Sequence, residues 1–273
     1  MKILVTGHKG FIGTNMVWFL TERGHEVTTY DWDDGVLAIN PVDLVIHLGA
    51  IADMTEMDTE KVLRQNLDFS IYLFQECNRL GINLQYASSS SVYGNTKTFA
   101  EESPCSPQTP YAWSKYLFDR WLSTQQKRII VQGFRYFNVY GPHMGLRGRR
   151  ASAVYKWIKQ GQEKGFIEVW EDAANIYRDW THVSDVCLLH ERFFNIRDSG
   201  VWNVGPGRSY SFREIAESIA DKYGFDVITH KMPQEEAPRF RQITCANLLK
   251  LNKTVGYISW RDVKDYIRFD CSV

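Results

Sequence analysis

KILVTGHKGFIG (residues 2–13) opens the chain with a short, almost continuously apolar run and then three glycines, Gly7, Gly10 and Gly13. Such a run predicts a parallel strand covered on both faces. NMVWFLTERG (15–24) follows with helical periodicity and a glycine stop, and EVTTYD (26–31) predicts a second strand ending in Asp31. The order strand, glycine turn, helix, strand, acid has a physical logic. Glycines let the turn close and let a pyrophosphate approach backbone N–H groups at a helix N-terminus. An acid at the end of the second strand can bind both hydroxyls of an adenine ribose. Gly7, Gly10, Phe11, Ile12, Gly13, Asp31 and Trp32 are therefore candidate dinucleotide contacts. The Asp31 carboxylate would repel a 2′-phosphate, and no arginine follows it in DWDDG (31–35), which favours NAD. Lys9, inside the glycine turn, pulls toward NADP. NAD is the expected cofactor, with NADP possible.

Working outward, VDLVIHLGA (42–50) predicts the next buried strand. Leu48, Gly49 and Ala50 fall at its carboxyl end, where open sheets hold ligands, and join the cofactor candidates. His47, inside that strand, reads as a satisfied core histidine. Residues 57–81 predict a long helix, and NLQYASSSS (83–91) returns to the sheet and delivers a run of serines to the same end. PQTPYAWSKY (107–116) then sets Tyr111 one helical turn before Lys115. A free tyrosine has a pKa of about 10 and is a poor base at neutral pH. A lysine ammonium one turn away, with an oxidised nicotinamide nearby, stabilises the phenolate. The lysine can also hold the nicotinamide ribose, and a serine can hydrogen-bond a substrate oxygen. These residues suit removal of hydrogen from a carbinol carbon.

The composition is compatible with this. The chain has 273 residues, 44% hydrophobic and 23% charged, which fits one large α/β domain with a small appended lobe. Its 32 basic and 32 acidic residues balance, so no global field draws it to nucleic acid or an acidic membrane. The five cysteines form no CxxC, which argues against a zinc site or disulfide scaffold and for a reducing, cytoplasmic setting. No metal site is expected. No apolar run approaches the ~20 residues that span a bilayer. GLRGRRASAVYKWIKQGQEKG (145–165) gathers basic residues into a local anion-site candidate. THVSDVCLLHERFF (181–194) predicts a helix started by a threonine cap, and SFREIAESIADKYG (211–224) one started by a Ser211/Glu214 capping box.

TGHKGFIG (6–13), ASSSSVYG (87–94), YAWSK (111–115) and RYFNVYGP (135–142) together resemble the extended short-chain dehydrogenase/reductase family, the NAD-dependent epimerases and dehydratases. Its members act mostly on nucleotide-activated sugars. The resemblance implies an α/β fold: a Rossmann-type parallel sheet with helices on both faces and a small C-terminal substrate lobe. The expected division is a dinucleotide domain over 1–145 and a lobe over 146–273, with segments near 181–205 returning to the main sheet. It implies Tyr111 as catalytic acid/base, Lys115 as its partner and Ser89 as the active-site hydroxyl. Ser90 and Ser91 stand where the sugar 4,6-dehydratases carry Asp-Glu, so that reaction is disfavoured and the two serines become substrate contacts. Val139 is an implied cofactor contact and Asn138 a substrate contact.

FRYFNVYGPHMGLRGRRAS (134–152), NIYRDWTHVSDV (175–186) and PRFRQITCANLLKL (238–251) are similar to the branch of that family that inverts C6 of an ADP-linked heptose. The implied substrate is a nucleotide-diphosphate sugar, an ADP- or GDP-linked heptose. Arg178 matches the arginine that holds the diphosphate, and Trp170, Glu171 and Asp172 fall on the substrate loop. The chain departs from the branch at three sites. Arg147 replaces a second lysine base, and an arginine cannot act as a base near neutral pH. Arg149 replaces a serine, and Phe240 a tyrosine, that contact substrate. An alternative is a one-way nucleotide-keto-sugar reductase, and a further one, of another class, a dinucleotide sensor or scaffold without catalysis. Relatives pair through helices matching 57–81 and 111–126, so a homo-oligomer, at least a dimer, is expected. A deletion is also evident. Only a short stretch joins Asp31 to Val42, where the family carries a further helix and strand. An abbreviated crossover follows, in which Asp33 or Asp34 either replaces a lost adenine contact or is a solvated turn residue.

Overall fold

The computed structural model describes all residues except 38, 40, 97, 233–242 and 271–273, and the side chains of 149 and 150. Phe240 therefore lies outside the described residues. Strands β1 (Lys2–Thr6), β2 (Glu26–Tyr30), β3 (Leu44–His47), β4 (Asn83–Ser89) and β5 (Val131–Tyr136) come first. They are followed by β6 (Val139–Tyr140), β7 (Phe166–Trp170), β8 (Tyr177–Asp179), β9 (Thr181–His182), β10 (Gly200–Val204), β11 (Ser209–Ser211) and β12 (Asp226–His230). The main helices are α1 (Phe11–Glu22), α2 (Thr59–Leu63), α3 (Phe69–Leu80), α4 (Pro110–Thr124), α5 (Ala153–Lys164), α6 (Val183–Arg192) and α7 (Phe212–Tyr223). The chain divides into two compact units, one of residues 1–136 and 187–203, the other of residues 137–186 and 204–273.

The first unit is built on a sheet of order β10-β5-β4-β3-β1-β2. The pairs β2–β1, β1–β3, β3–β4 and β4–β5 are parallel. Side chains alternate across each strand, so neighbouring residues enter opposite cores. Ile3, Val5, Leu44 and Ile46 pack with Met16, Phe19 and Leu20 of α1 and with Cys187 of α6. Leu4, Val45, Leu84 and Val131 pack on the other face with Leu73 and Phe74 of α3 and Phe118 and Leu122 of α4. Covered strands of this kind explain the near-continuous apolar runs, and the structure is the doubly covered parallel sheet that the sequence predicts.

The abbreviated crossover leaves β2 at the sheet edge, where EVTTY is largely exposed and polar. Between β2 and β3 the described residues form only the 3₁₀ turn Trp32–Asp34. Leu37, with Ile39 and Val42, packs onto the α3/α4 face of the sheet. Three side chains of the loop thus supply apolar cover for this face of the sheet without a crossover helix among the described residues.

Two local expectations need correction. The long helix over 57–81 is not uniform: a π-helical segment, Arg64–Asp68, separates α2 from α3. Thr181 is not a helix cap. Thr181 and His182 pair with β6 instead, and the Thr181 hydroxyl donates to the Val204 carbonyl at 3.3 Å. Strand pairing took the residues that the cap pattern claimed.

The second unit carries the parallel pair β7–β12, the antiparallel pair β8–β11 and the short pair β6–β9. The predicted Ser211/Glu214 capping box starts α7. Among the described residues no helix is long and apolar enough to cross a membrane.

Two buried histidines make the first unit sensitive to acid. His47 takes a hydrogen bond from Thr6 Oγ1 at Nδ1 (2.6 Å) and gives one from Nε2 to Ser70 Oγ (2.9 Å), whose own proton goes to the Asn66 carbonyl. His190 donates from Nδ1 to Gln85 Oε1 (2.8 Å) and accepts from the Tyr136 hydroxyl at Nε2 (2.6 Å). Both are neutral imidazoles, and burial pushes each down to about 3. Protons then favour the unfolded chain between the unfolded value of about 6.5 and the folded value near 3, so this stability is lost as pH falls through that window. Asp179 of the second unit acts with the opposite sign, because burial raises its carboxyl to about 7. A difference measurement isolates the histidine. At pH 5 the unfolding free energy of wild type should fall more steeply with acid than that of His190→Gln, by about 1.4 kcal/mol per pH unit. Urea titrations across pH 5–7 read this directly, and parallel slopes would show that His190 is not buried neutral.

Candidate active site

The glycine turn is a contact between two backbones. Gly7 has φ +77°, and a Cβ there would lie 2.4 Å from the Gly49 nitrogen and 2.7 Å from the Leu48 carbonyl carbon. A Cβ on Gly13 would lie 2.1 Å from the Gly7 oxygen. A side chain at Gly7 would push the β1–α1 turn off the backbone that follows β3, and one at Gly13 would push α1 off the turn. Gly10 is the N-cap of α1 and supplies no side-chain cap, and the first turn of α1 holds no acid. The helix start is thus shaped and charged to receive a phosphate on its N–H groups. Phe11 is buried under the turn and Ile12 half-buried. Leu48, Gly49 and Ala50 are half-buried beside it. These residues fit the dinucleotide that the sequence implies.

Asp31 stands at the end of β2. Its Oδ2 accepts from the Lys9 amide at 3.2 Å and its Oδ1 from the Trp32 amide at 2.8 Å. The carboxylate is thereby held beside the glycine turn. Trp32 is partly exposed and meets Phe69 edge-on. Asp34 is a structured turn residue, since it closes a capping box by accepting from the Asp31 amide at 2.7 Å.

Helix α4 begins with Thr109 as N-cap, its hydroxyl accepting from the Ala112 amide at 3.2 Å, and Pro110 in the first turn. Tyr111 follows, half-buried, in the turn where the helix dipole favours an anion. Lys115 lies on the same helical face and is 3% exposed. Burial pushes its ammonium down to about 8, with Asp119 acting to raise it. The lysine is therefore still cationic at pH 7. At the tip of β4, Ser89 Oγ accepts from the Ser91 amide (3.1 Å) and the Ser91 hydroxyl (2.9 Å). With both acceptor positions taken, the Ser89 hydroxyl is left as a donor. Ser90 and Ser91 sit in the 3₁₀ turn Ser90–Tyr93, which Ser89 caps. The first unit thus contains Ser89, Tyr111 and Lys115 as the sequence implies.

Two buried networks hold these elements, and their residues escaped the sequence reading. Asp119, the third member of the Tyr111/Lys115 stripe, accepts from the Tyr86 hydroxyl (2.9 Å), the Ser88 hydroxyl (3.0 Å) and two nitrogens of Arg135 (3.1 and 3.0 Å). It therefore fastens α4 to β4 one residue before Ser89. Arg135 also donates to the Tyr93 hydroxyl and the Glu101 carbonyl, each at 3.1 Å. The second network centres on Asn66, inside the π-helical segment. Its side chain accepts from the Ile51 amide (2.8 Å) and donates to the Ile51 carbonyl (3.0 Å) and Ser114 Oγ (3.1 Å). The Ser114 hydroxyl in turn donates to the Tyr111 carbonyl at 2.7 Å. The available signals were an acid four residues beyond a buried lysine and an arginine inside the apolar strand GFRYF.

The second unit holds the other expected contacts. Arg178, on β8, is 9% exposed, donates to the Tyr177 carbonyl at 2.8 Å and lies over the Phe212 ring at 5.2 Å. Trp170 stacks on the same ring at 6.3 Å, while Glu171 and Asp172 are exposed. Arg147 is half-buried in the 3₁₀ segment Met144–Arg150, which kinks at Gly148. The Arg149 side chain lies outside the described residues. Val139 is buried in β6. The Asn138 side-chain Nδ2 donates to the Asp179 main-chain carbonyl (3.4 Å) and Thr244 Oγ1 (3.3 Å). The Asp179 carboxyl is fully buried, and its Oδ2 accepts from the backbone amides of Gly207 (3.0 Å) and Ala246 (2.8 Å).

Comparison with known proteins agrees with this geometry. The model of the NAD dependent epimerase/dehydratase family matches residues 3–205. The chain is 32% identical to the ADP-L-glycero-D-manno-heptose-6-epimerase of Brachyspira hyodysenteriae, over 93% of this chain and 92% of that protein. It is similar in structure to the Helicobacter pylori ADP-L-glycero-D-manno-heptose-6-epimerase, with TM-score 0.87, 25% identity, and 98% and 94% of the two chains covered. It is also similar to MoeE5 solved with UDP-glucuronic acid and NAD, with TM-score 0.83, 25% identity, and 98% and 96% covered.

The Asp119 network generates a graded expectation. Tyr86→Phe removes one of several donors and should cost about 1 kcal/mol of stability. Asp119→Asn strips the buried Arg135 of its counter-charge and should cost about 3–5 kcal/mol. Urea unfolding of both variants tests the order, and equal costs would remove Asp119 from the centre of the network.

Proposed function

Because the chain belongs to the NAD dependent epimerase/dehydratase family, we propose that it inverts one carbinol centre of a nucleotide-diphosphate sugar, an ADP- or GDP-linked heptose, through a keto sugar. The observation that carries this is the Ser89, Tyr111 and Lys115 set, in one unit with a glycine turn that only backbone can fill. Similarity to heptose 6-epimerases over more than nine-tenths of the chain supports the choice of sugar.

A bound dinucleotide would supply a hydride acceptor that can also return the hydride. The glycine turn and the start of α1 would hold its pyrophosphate, Asp31 its adenine ribose and Lys115 its nicotinamide ribose. Tyr111 takes the hydroxyl proton as the carbonyl forms and gives it back as the carbonyl is reduced. The α4 N-terminus and the Lys115 cation stabilise its phenolate in between. Ser89, left as a donor, hydrogen-bonds the sugar oxygen. Arg178 pairs with the diphosphate, a task suited to its planar donor fork. Ser90, Ser91, Trp170 and Glu171 contact the sugar.

Arg147 acts as a fixed positive charge toward the keto oxygen or a phosphate, since it cannot take a proton. Tyr111 is then the one acid/base for both directions, and inversion requires the keto sugar to turn over between the two transfers. A homo-oligomer of at least two copies, by resemblance, and a cytoplasmic setting belong to this reading, and the thiols of Cys77, Cys105, Cys187 and Cys245, none of them in a disulfide, suit that setting.

The test is stereochemical. Either ADP-heptose epimer, incubated with protein and catalytic NAD, should converge on one epimer ratio by NMR with no net change in reduced cofactor. Tyr111→Phe should lower turnover by ~10²–10⁴ and still bind NAD. Steady consumption of added reduced cofactor by a keto-sugar nucleotide, without interconversion, would establish the reductase instead.

A further inference from the structure

The glycine turn carries two basic residues, His8 and Lys9, beside Asp31. The Lys9 amide itself donates to Asp31 Oδ2 at 3.2 Å, so its side chain starts next to the carboxylate assigned to the adenine ribose. A free ammonium at that point is a ready partner for a 2′-phosphate and would recommend NADP. Lys9 is not free. Its Nζ donates to Asp34 Oδ1 in an ion pair, and His8 Nδ1 lies 4.0 Å from Asp34 Oδ2.

Asp34 is placed for this by the short crossover. The 3₁₀ turn Trp32–Asp34 begins directly after β2, and the capping box with the Asp31 amide, at 2.7 Å, sets where its carboxylate points. The pair shifts both partners in the sense of mutual stabilisation. Hydrogen bonding to Asp34 is the largest effect holding the Lys9 ammonium above its usual range, and the same bond is the largest effect holding Asp34 below the usual carboxylate range. Half of the Lys9 side chain is exposed, so the pair contributes little to folding. Its effect falls on charge. Asp31, Asp33 and Asp34 all act on Lys9 and Asp34 also lies beside His8, leaving an excess of negative charge beside the glycine turn.

We propose that Asp34, by capturing Lys9, sets this chain's preference for NAD over NADP together with Asp31. Asp31 supplies ribose recognition, and Asp34 withdraws the one cation in the turn that could reward a 2′-phosphate. The proposal rests on the dinucleotide site described above.

Equilibrium titration of NAD and NADP against purified protein tests it without recourse to activity. Wild type should bind NAD more tightly. Asp34→Asn keeps an acceptor for the Asp31 amide while releasing Lys9, and should tighten NADP by about tenfold with NAD changed less than about threefold. Adding Lys9→Ala to Asp34→Asn should abolish that gain, and raising ionic strength should shrink it, because the contact is an exposed charge pair. An unchanged NADP-to-NAD ratio in Asp34→Asn, a gain that survives loss of Lys9, or a wild type that prefers NADP would each overturn the proposal while leaving the dinucleotide site intact. A wild type that binds neither dinucleotide would overturn the site and the proposal together.

Discussion

The buried Asp119 carboxylate joins the helix that carries Tyr111 and Lys115 to the strand that carries Ser89. Tyr111 and Lys115 ride on α4, Ser89 on the tip of β4, and nothing in either element alone fixes the distance between them. Asp119 reaches across with hydrogen bonds from Tyr86 and Ser88 on β4 and from Arg135 on β5. A charged pair this deep in a core is expensive to desolvate and is no sign of stability in itself. Its contribution here is to position. It holds α4 and β4 in one register and places a negative charge close enough to Lys115 to oppose the loss of its proton.

Around that tie the site is assembled by close backbone approach. Gly7 lets the β1–α1 turn close against Gly49 and Gly13 lets α1 close against Gly7, so the ends of β1 and β3 and the start of α1 are brought within contact of one another. Asn66 then carries the same arrangement to α4, clamping the backbone at Ile51 on one side and Ser114 on the other. Asn66 does this from within the π-helical segment Arg64–Asp68. The deletion after β2 leaves this core intact because Leu37, Ile39 and Val42 cover the exposed face.

Much of this was legible in the sequence. The apolar runs of β1 and β3, the spaced glycines and the Tyr111/Lys115 spacing each report a local constraint, and local constraints survive in one-dimensional patterns. The Ser211/Glu214 box was equally readable, since both partners lie within one turn. Asp119 and Asn66 were not. Their meaning depends on partners 15 to 48 residues away, and an acid or an amide inside a helical pattern looks like any surface residue. Thr181 misled for a related reason, because a cap pattern cannot register that β6 pairs with the same residues. The capture of Lys9 by Asp34 was likewise invisible, although both residues stood out as charges, because α1 and β2 lie between them in the chain and only the fold brings the turn after β2 back to the glycine turn.

The central claim is that the substrate carbon is oxidised and re-reduced while Tyr111 handles only the hydroxyl proton. Epimerisation of ADP-heptose in heavy water, followed by mass and NMR analysis of the inverted carbon, tests it most directly. Interconversion of the epimers with no solvent deuterium at that carbon is the predicted result, since the carbon-bound hydrogen leaves and returns without meeting water. Incorporation of one deuteron there per turnover would contradict the account, because it would mean that a base removes the hydrogen from carbon as a proton.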